Sequence, residues 1–266
     1  AWLGLRAVRS PHAHARFRIG ALAALHARFP GLVAVLTAVD VPGRNRFGIY
    51  PAGKDQPVFA EEVVRMRGEA VCALVGEAEA LAAIRDEDIP ITWEPLPPVT
   101  FDQALAGAAP DLHAHAPGNV LCRGRVAHGD AEAALAGAAH RAQIAVETGF
   151  VEHAYIEPEA GYARRLGDRI EIVACTQTPY MDRDELAPIL GLAPDQVRII
   201  PTATGGGFGG KLDLSLQPMI AIAAWRFGRP VRCVYSRPES MASTTKRHPA
   251  RIFAEAGCDA EGRLAA

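Results

Sequence analysis

The chain has 266 residues, enough for one large domain or two smaller ones. A hydrophobic fraction of 49% and a charged fraction of 22% support a sizeable core and exclude a disordered chain. The net charge of −2 gives no electrostatic reason to hold nucleic acid or an anionic membrane surface.

Strand and helix signals alternate through the first hundred residues. Leu3 to Val8 reads as a strand that Ser10-Pro11 breaks, and Ala21 to Arg28 as a short Ala/Leu helix. After the Pro30-Gly31 turn, Leu32 to Thr37 and Ala70 to Val75 read as strands, Glu77 to Arg85 as a helix and Ile89 to Trp93 as a strand. Residues 95–125 carry Pro95, Pro97, Pro98, Pro110 and Pro117 with little periodicity and read as a connection. Beyond it, Glu132 to Ala138 reads as a helix and His140 to Glu147 as a strand. Gly161 to Arg165 and Arg169 to Ala174 flank Gly167-Asp168, a hairpin turn. Asp182 and Glu185 suit a capping box at a helix start, Pro188 should shorten or kink that helix, and Gly191 suits its left-handed stop. Gln196 to Ile200 reads as a strand, Asp213 to Phe227 as a helix and Pro230 to Tyr235 as a strand.

Five cysteines, Cys72, Cys122, Cys175, Cys233 and Cys258, are odd in number and never spaced C-x-x-C. This argues against a disulfide framework, a zinc site or an iron–sulfur site within the chain and for a reducing, cytoplasmic setting. No apolar run approaches the ~20 residues of a membrane span. The start, Ala1-Trp2-Leu3-Gly4, has neither the pattern of a signal peptide nor an initiating Met, so a cut or processed N-terminus is expected.

The most informative stretch is Gly205-Gly206-Gly207-Phe208-Gly209-Gly210-Lys211, between a strand and a helix. Side-chain-free backbone lets N–H groups approach an anion, and a following helix N-terminus would add its dipole. Three readings stand on these residues alone. Gly205, Gly207 and Gly210 satisfy G-x-G-x-x-G, a dinucleotide fingerprint that would make this an NADP-binding oxidoreductase domain, with Arg237 near the 2′-phosphate. Against it, Pro201 and the residues after it separate strand from glycines, and the acidic ribose partner is missing. The loop also fits a different anionic ligand, or a turn that merely lets strand and helix pack. The pairs His12/His14 and His113/His115 lack Cys or carboxylate at ligand spacing, so no direct metal ligand is expected. His153 and Glu157 lie four apart, but Pro158 points to an extended segment and a structural role. Ser236 and Ser243 have no nucleophile elbow around them.

Seven segments in order resemble the molybdenum hydroxylases, the xanthine dehydrogenase/aldehyde oxidase family. They are Arg9 to Arg16 (RSPHAHAR), Pro30-Gly31 through Asp40-Val41-Pro42-Gly43, Glu94 to Val99, His153 to Pro158 (HxxxEP), Thr176-Gln177-Thr178-Pro179, the GGGFGGK loop, and Lys246-Arg247-His248-Pro249. The resemblance implies an α+β chain with an a/b hammerhead domain over 1–98, a linker over 99–125 and the first part of a molybdopterin-binding domain over 126–266. It implies a molybdenum-pterin cofactor, as molybdopterin or its cytosine dinucleotide. The implied reaction hydroxylates an aldehyde or aromatic heterocycle with oxygen from water, and electrons leave through Fe-S clusters and FAD on partner subunits.

Carried over by residue, Gln177 is expected to contact the apical oxo ligand of molybdenum. Gly206, Gly207, Phe208, Gly209 and Gly210 are expected against the cofactor. Purine-oxidising members carry a glutamate after the loop lysine; Leu212 stands there, so an apolar pocket wall and a less polar substrate are expected. The loop lacks the cysteine pattern of the copper-containing carbon monoxide dehydrogenases. The family's general base, a glutamate in a GxGE motif, does not occur in the sequence. The chain by itself should therefore be inactive and need the C-terminal remainder of the molybdenum subunit as partner. The competing expectation is a non-catalytic assembly or binding module of the same fold.

Overall fold

The computed structural model describes residues 1–50 and 53–266. The chain opens with β1 (Leu3–Arg9), β2 (Ala15–Ile19), α1 (Ala23–Arg28), β3 (Leu32–Leu36), β4 (Val63–Val64), β5 (Ala70–Gly76), α2 (Ala78–Ala83) and β6 (Ile91–Pro95). Next come α3 (Phe101–Leu105), α4 (Ala131–Ala136) and β7 (His140–Thr148). The remainder holds β8 (Ala160–Leu166), β9 (Arg169–Ala174), α5 (Pro179–Leu190), β10 (Val197–Pro201), α6 (Gln217–Phe227), β11 (Val231–Val234), α7 (Arg237–Ser243) and β12 (Ala250–Cys258). The architecture is α+β, as expected.

Two compact units form, and neither is one continuous stretch: Ala1–Val99 with His153–Thr245, and Thr100–Glu152 with Lys246–Ala266. The division expected at 98 falls beside the edge at Val99, whereas the one expected at 125 lies within the second unit. Backbone pairing is the reason. β1 lies parallel to β11, with Leu3 opposite Val231, so strands distant in sequence share one sheet.

That sheet of the first unit has seven strands in the order β10-β9-β8-β11-β1-β5-β3. β5 is apolar throughout because both its faces are covered: Ala73 and Val75 enter one core, Cys72 and Leu74 another. The larger core is filled by α6, whose residues from Gln217 to Ala224 are buried and which packs on β8, β9, β11 and α5. The smaller core is closed by the sheet β4-β2-β6, where Phe17 pairs with Trp93. β9, α5 and β10 make a parallel strand–helix–strand crossover, with Ile199 opposite Ile172.

The helix expected from Asp182 starts earlier. Pro179 takes the first position, where its missing N–H costs nothing, and Thr178 is the N-cap residue. Asp182 thus lies inside α5, buried, and forms no capping box. Pro188 does not end α5; Gly191 does, in the left-handed conformation. α6 begins at Gln217, not Asp213, and turns occupy the interval. β2, β4, α7 and β12 were not expected.

In the second unit β7 and β12 form an antiparallel ribbon from His140 opposite Cys258 to Thr148 opposite Ala250. The segment read as connection holds α3, whose Thr100 Oγ1 accepts the Gln103 N–H at 3.3 Å. Among the described residues no helix is long and apolar enough to cross a membrane.

Candidate functional site

β9 and β10 end side by side, Ala174 opposite Pro201. The carboxyl ends of neighbouring parallel strands are where open sheets commonly seat ligands. Past β9 the chain runs through Cys175, Thr176, Gln177 and Thr178; past β10 it enters the glycine loop. The two are stitched together. Gln177 N–H donates to the Lys211 carbonyl at 3.0 Å, and Thr178 Oγ1 to the Leu212 carbonyl at 2.9 Å.

A third, irregular segment lies against the loop. A Cβ added to Gly205 would sit 2.6 Å from Glu157 Cβ, one on Gly206 2.9 Å from Tyr155 Cβ, and one on Gly210 2.8 Å from Tyr155 Cε1 and 3.1 Å from His153 Nδ1. Residues 153, 155 and 157 thus all face the loop, while Ile156 between them is exposed. One on Gly207 would sit 2.6 Å from Gln177 Cδ. Gly206 and Gly209 also hold φ of +102° and +91°, where a side chain is strained. The glycines therefore serve the loop's own packing first, more than open approach of a ligand.

The Gln177 amide is oriented by the loop. Its Oε1 accepts the N–H of Gly209 at 3.0 Å and of Lys211 at 3.3 Å. Both partners are donors, so the oxygen must face them and Nε2 must face away. Among the described residues, the N–H groups of Gly206, Gly207 and Phe208 and the Nε2 of Gln177 have no hydrogen-bond partner. Phe208 is 75% exposed, its backbone at φ +51°. Leu212 is half-buried beside Gly209.

Beneath this surface the charges are paired. Lys211 is buried, with Nζ 2.8 Å from Glu157 Oε2 and 4.5 Å from the centre of the Tyr155 ring. Tyr155 hydroxyl donates to Glu159, and both residues are buried. Burial by itself would raise the Glu157 carboxyl, but the Lys211 hydrogen bond, the Gly205 N–H and the Lys211 charge hold it below the ordinary value. Farther in, burial pushes the Asp182 carboxyl up to about 6 despite a hydrogen bond from Gln217.

The structure brings together Gln177, Gly206, Gly207, Phe208, Gly209, Gly210 and Leu212, all singled out from the sequence. It adds Tyr155, which carried no signal of its own, and gives Glu157, read from the sequence as structural, its place against the loop. His153 and Glu157 do not lie on one helix turn; their segment is irregular, bent at Ile156–Glu157 and with Ala154 at φ +49°, where an extended segment was expected. His12 packs on Trp93 and His14 Nδ1 meets the Pro97 carbonyl at 2.8 Å. The dinucleotide reading fails on geometry: α6 starts at Gln217, beyond a further run of turns, so the glycines do not open a helix as the fingerprint requires. Two clefts of about 700 and 940 Å³ lie away from the loop, beside β10 and on β2.

Two family models divide most of the chain. The aldehyde oxidase and xanthine dehydrogenase a/b hammerhead domain matches residues 3–97, and the molybdopterin cofactor-binding domain matches 112–266. The nicotinate dehydrogenase large molybdopterin subunit of Eubacterium barkeri is 36% identical over 242 residues, covering 89% of this chain and 55% of that protein. The xanthine dehydrogenase/oxidase of Mus musculus is 31% identical over 256 residues, covering 93% of this chain and 18% of that protein. The solved aldehyde oxidoreductase from Desulfovibrio gigas superposes with a TM-score of 0.88 at 27% identity, over 98% of this chain and 30% of that one. The chain thus spans between about a fifth and about half of these curated relatives. It belongs to the molybdenum hydroxylase family of xanthine dehydrogenases and aldehyde oxidases, within which it matches the hammerhead and molybdopterin cofactor-binding domains.

Proposed function

We propose that this chain is the molybdenum-cofactor-binding portion of an oxidoreductase that hydroxylates an aldehyde or an aromatic heterocycle. The observation that carries the reading is the Gln177 amide, held by its oxygen so that Nε2 points away from the loop as a neutral donor. Beside it stand three successive N–H groups without partners among the described residues. This donor set suits an oxygen- and sulfur-rich anionic group, and the nearby carboxylates are already taken by Lys211 and Tyr155. When bound, the molybdenum-pterin group supplies water activation and a two-electron sink.

The chain's own residues bind and orient. Gln177 Nε2 would hold an oxygen of the cofactor by donating a hydrogen bond without adding charge. Gly206, Gly207, Phe208, Gly209 and Gly210 would lie against the cofactor, and the N–H groups of Gly206, Gly207 and Phe208 would donate to its oxygen and sulfur atoms. Leu212 forms an apolar wall, which favours an aldehyde or a less polar ring over a purine. The remainder of the molybdenum subunit supplies the general base and further pterin contacts. Partner subunits in the cytoplasm carry Fe-S clusters and FAD, and the pterin carries either no nucleotide or a cytidine nucleotide.

The test is metal analysis with pterin-oxidation fluorescence on the complex purified from its native host through an antibody to this chain. The expected result is molybdenum near one per complex with a pterin signal. A well-folded native complex without either would overturn the proposal and leave an assembly module as the better reading.

A further inference from the structure

Both ends of the glycine loop finish on one carboxylate. Glu157 Oε2 accepts the Gly205 N–H at 2.9 Å and the Lys211 ammonium at 2.8 Å. Two main-chain contacts reinforce it: Lys211 Nζ donates to the Glu157 carbonyl at 2.9 Å, and Glu157 N–H donates to the Gly205 carbonyl at 3.2 Å. A single oxygen therefore ties the first residue of the loop to the last. Lys211 is in turn bonded both ways to Gln177, its N–H to Oε1 at 3.3 Å and its carbonyl to the Gln177 N–H at 3.0 Å. Among the described residues the Gln177 side-chain amide has one further hydrogen-bond partner, Gly209, which lies inside the same closed loop.

We infer that Glu157 is a positioning residue: through Lys211 it fixes the span of the loop and hence the direction in which Gln177 presents Nε2 to the cofactor. This rests on the proposed function and deepens it. A neutral amide at 157 would still accept the Gly205 N–H but would leave a buried ammonium without its counter-charge. The loop would then be free to relax at its Lys211 end, and Gln177 would follow.

The experiment compares wild type, Glu157→Gln and the double variant Glu157→Gln/Lys211→Met in the complete molybdenum-containing complex. Four readouts are taken: melting temperature, half-time of pterin and molybdenum loss on dialysis, the paramagnetic resonance signal of the half-reduced metal, and kcat separately from KM. For Glu157→Gln the expected result is cofactor loss about 10–100-fold faster, the usual cost of removing an outer supporting group. A shifted resonance signal and a kcat that falls more than KM changes should accompany it. If Glu157→Gln does not fold, the double variant, which removes the unpaired buried charge as well, carries the same readouts. Cofactor loss and resonance signal at wild-type values in whichever variant folds would overturn the inference. A wild-type complex lacking molybdenum and pterin would instead sink the proposed function, so the two failures are distinguishable.

Discussion

At the scale of single residues, Gln177 separates a positional role from a chemical one. Glu at this position can still accept the Gly209 and Lys211 N–H groups through one oxygen, so the loop should hold. Its other atom changes from donor to acceptor. Gln177→Glu is therefore expected to keep its cofactor and to lose about 10²–10³ in kcat, the cost typical of removing one preorganised donor. Steady-state kinetics on metal-replete complex checks this, and unchanged kcat would remove Gln177 from the chemistry. Asp182 offers a pH prediction. Its carboxyl lies at about 6 in the fold against 3.8 ordinarily, because burial disfavours the charge. Between these values the folded state holds more protons than the unfolded, so this group's contribution to stability falls as pH rises from about 4 to about 6 and stays low above. Asp182→Asn should remove that loss. Urea unfolding at pH 4 and pH 7 should show the variant gaining on wild type by roughly 1–3 kcal/mol over the interval.

Among the elements, legibility followed locality. The β8–β9 hairpin, the stop of α5 at Gly191 and the buried run of β5 were readable because their causes lie within a few neighbouring residues. β12 was missed because Arg251 and Glu255 interrupt its apolar residues and its pairing partner, β7, lies about a hundred residues away. β2, with Arg16 and Arg18 alternating against Ala15 and Phe17, was obscured by the Ser10-Pro11 break before it and by its brevity. The site divides the same way. Gln177 and the glycine run were legible as residue types, whereas the Glu157–Lys211 pair joins positions 54 apart and carries no local pattern. α6 is the element on which the larger core depends, and Ile220 within it is fully buried. Ile220→Ala should cost about 2–5 kcal/mol, by lost burial and a cavity the packed sheet cannot close. Chemical denaturation gives the number, and a loss below about 1 kcal/mol would mean that α6 repacks freely.

Across the molecule, the sheet of the first unit is sewn from two stretches of sequence separated by the whole of residues 100–152. Limited proteolysis within 107–129, which carries three glycines at positive φ, should therefore nick the chain without separating the pieces. The two fragments are expected to co-elute on gel filtration and to part only in denaturant; separation in native buffer would show that β1 and β11 do not hold together. The same stitching sets a clock on synthesis. β1 leaves the ribosome before its parallel partner β11, which is made roughly 230 residues later. At roughly 5–20 residues per second the bare edge of β1 waits on the order of 10–45 s. For that interval one flank of the sheet is an open template for strands of other chains, so the nascent protein depends on being shielded until its own later sequence arrives.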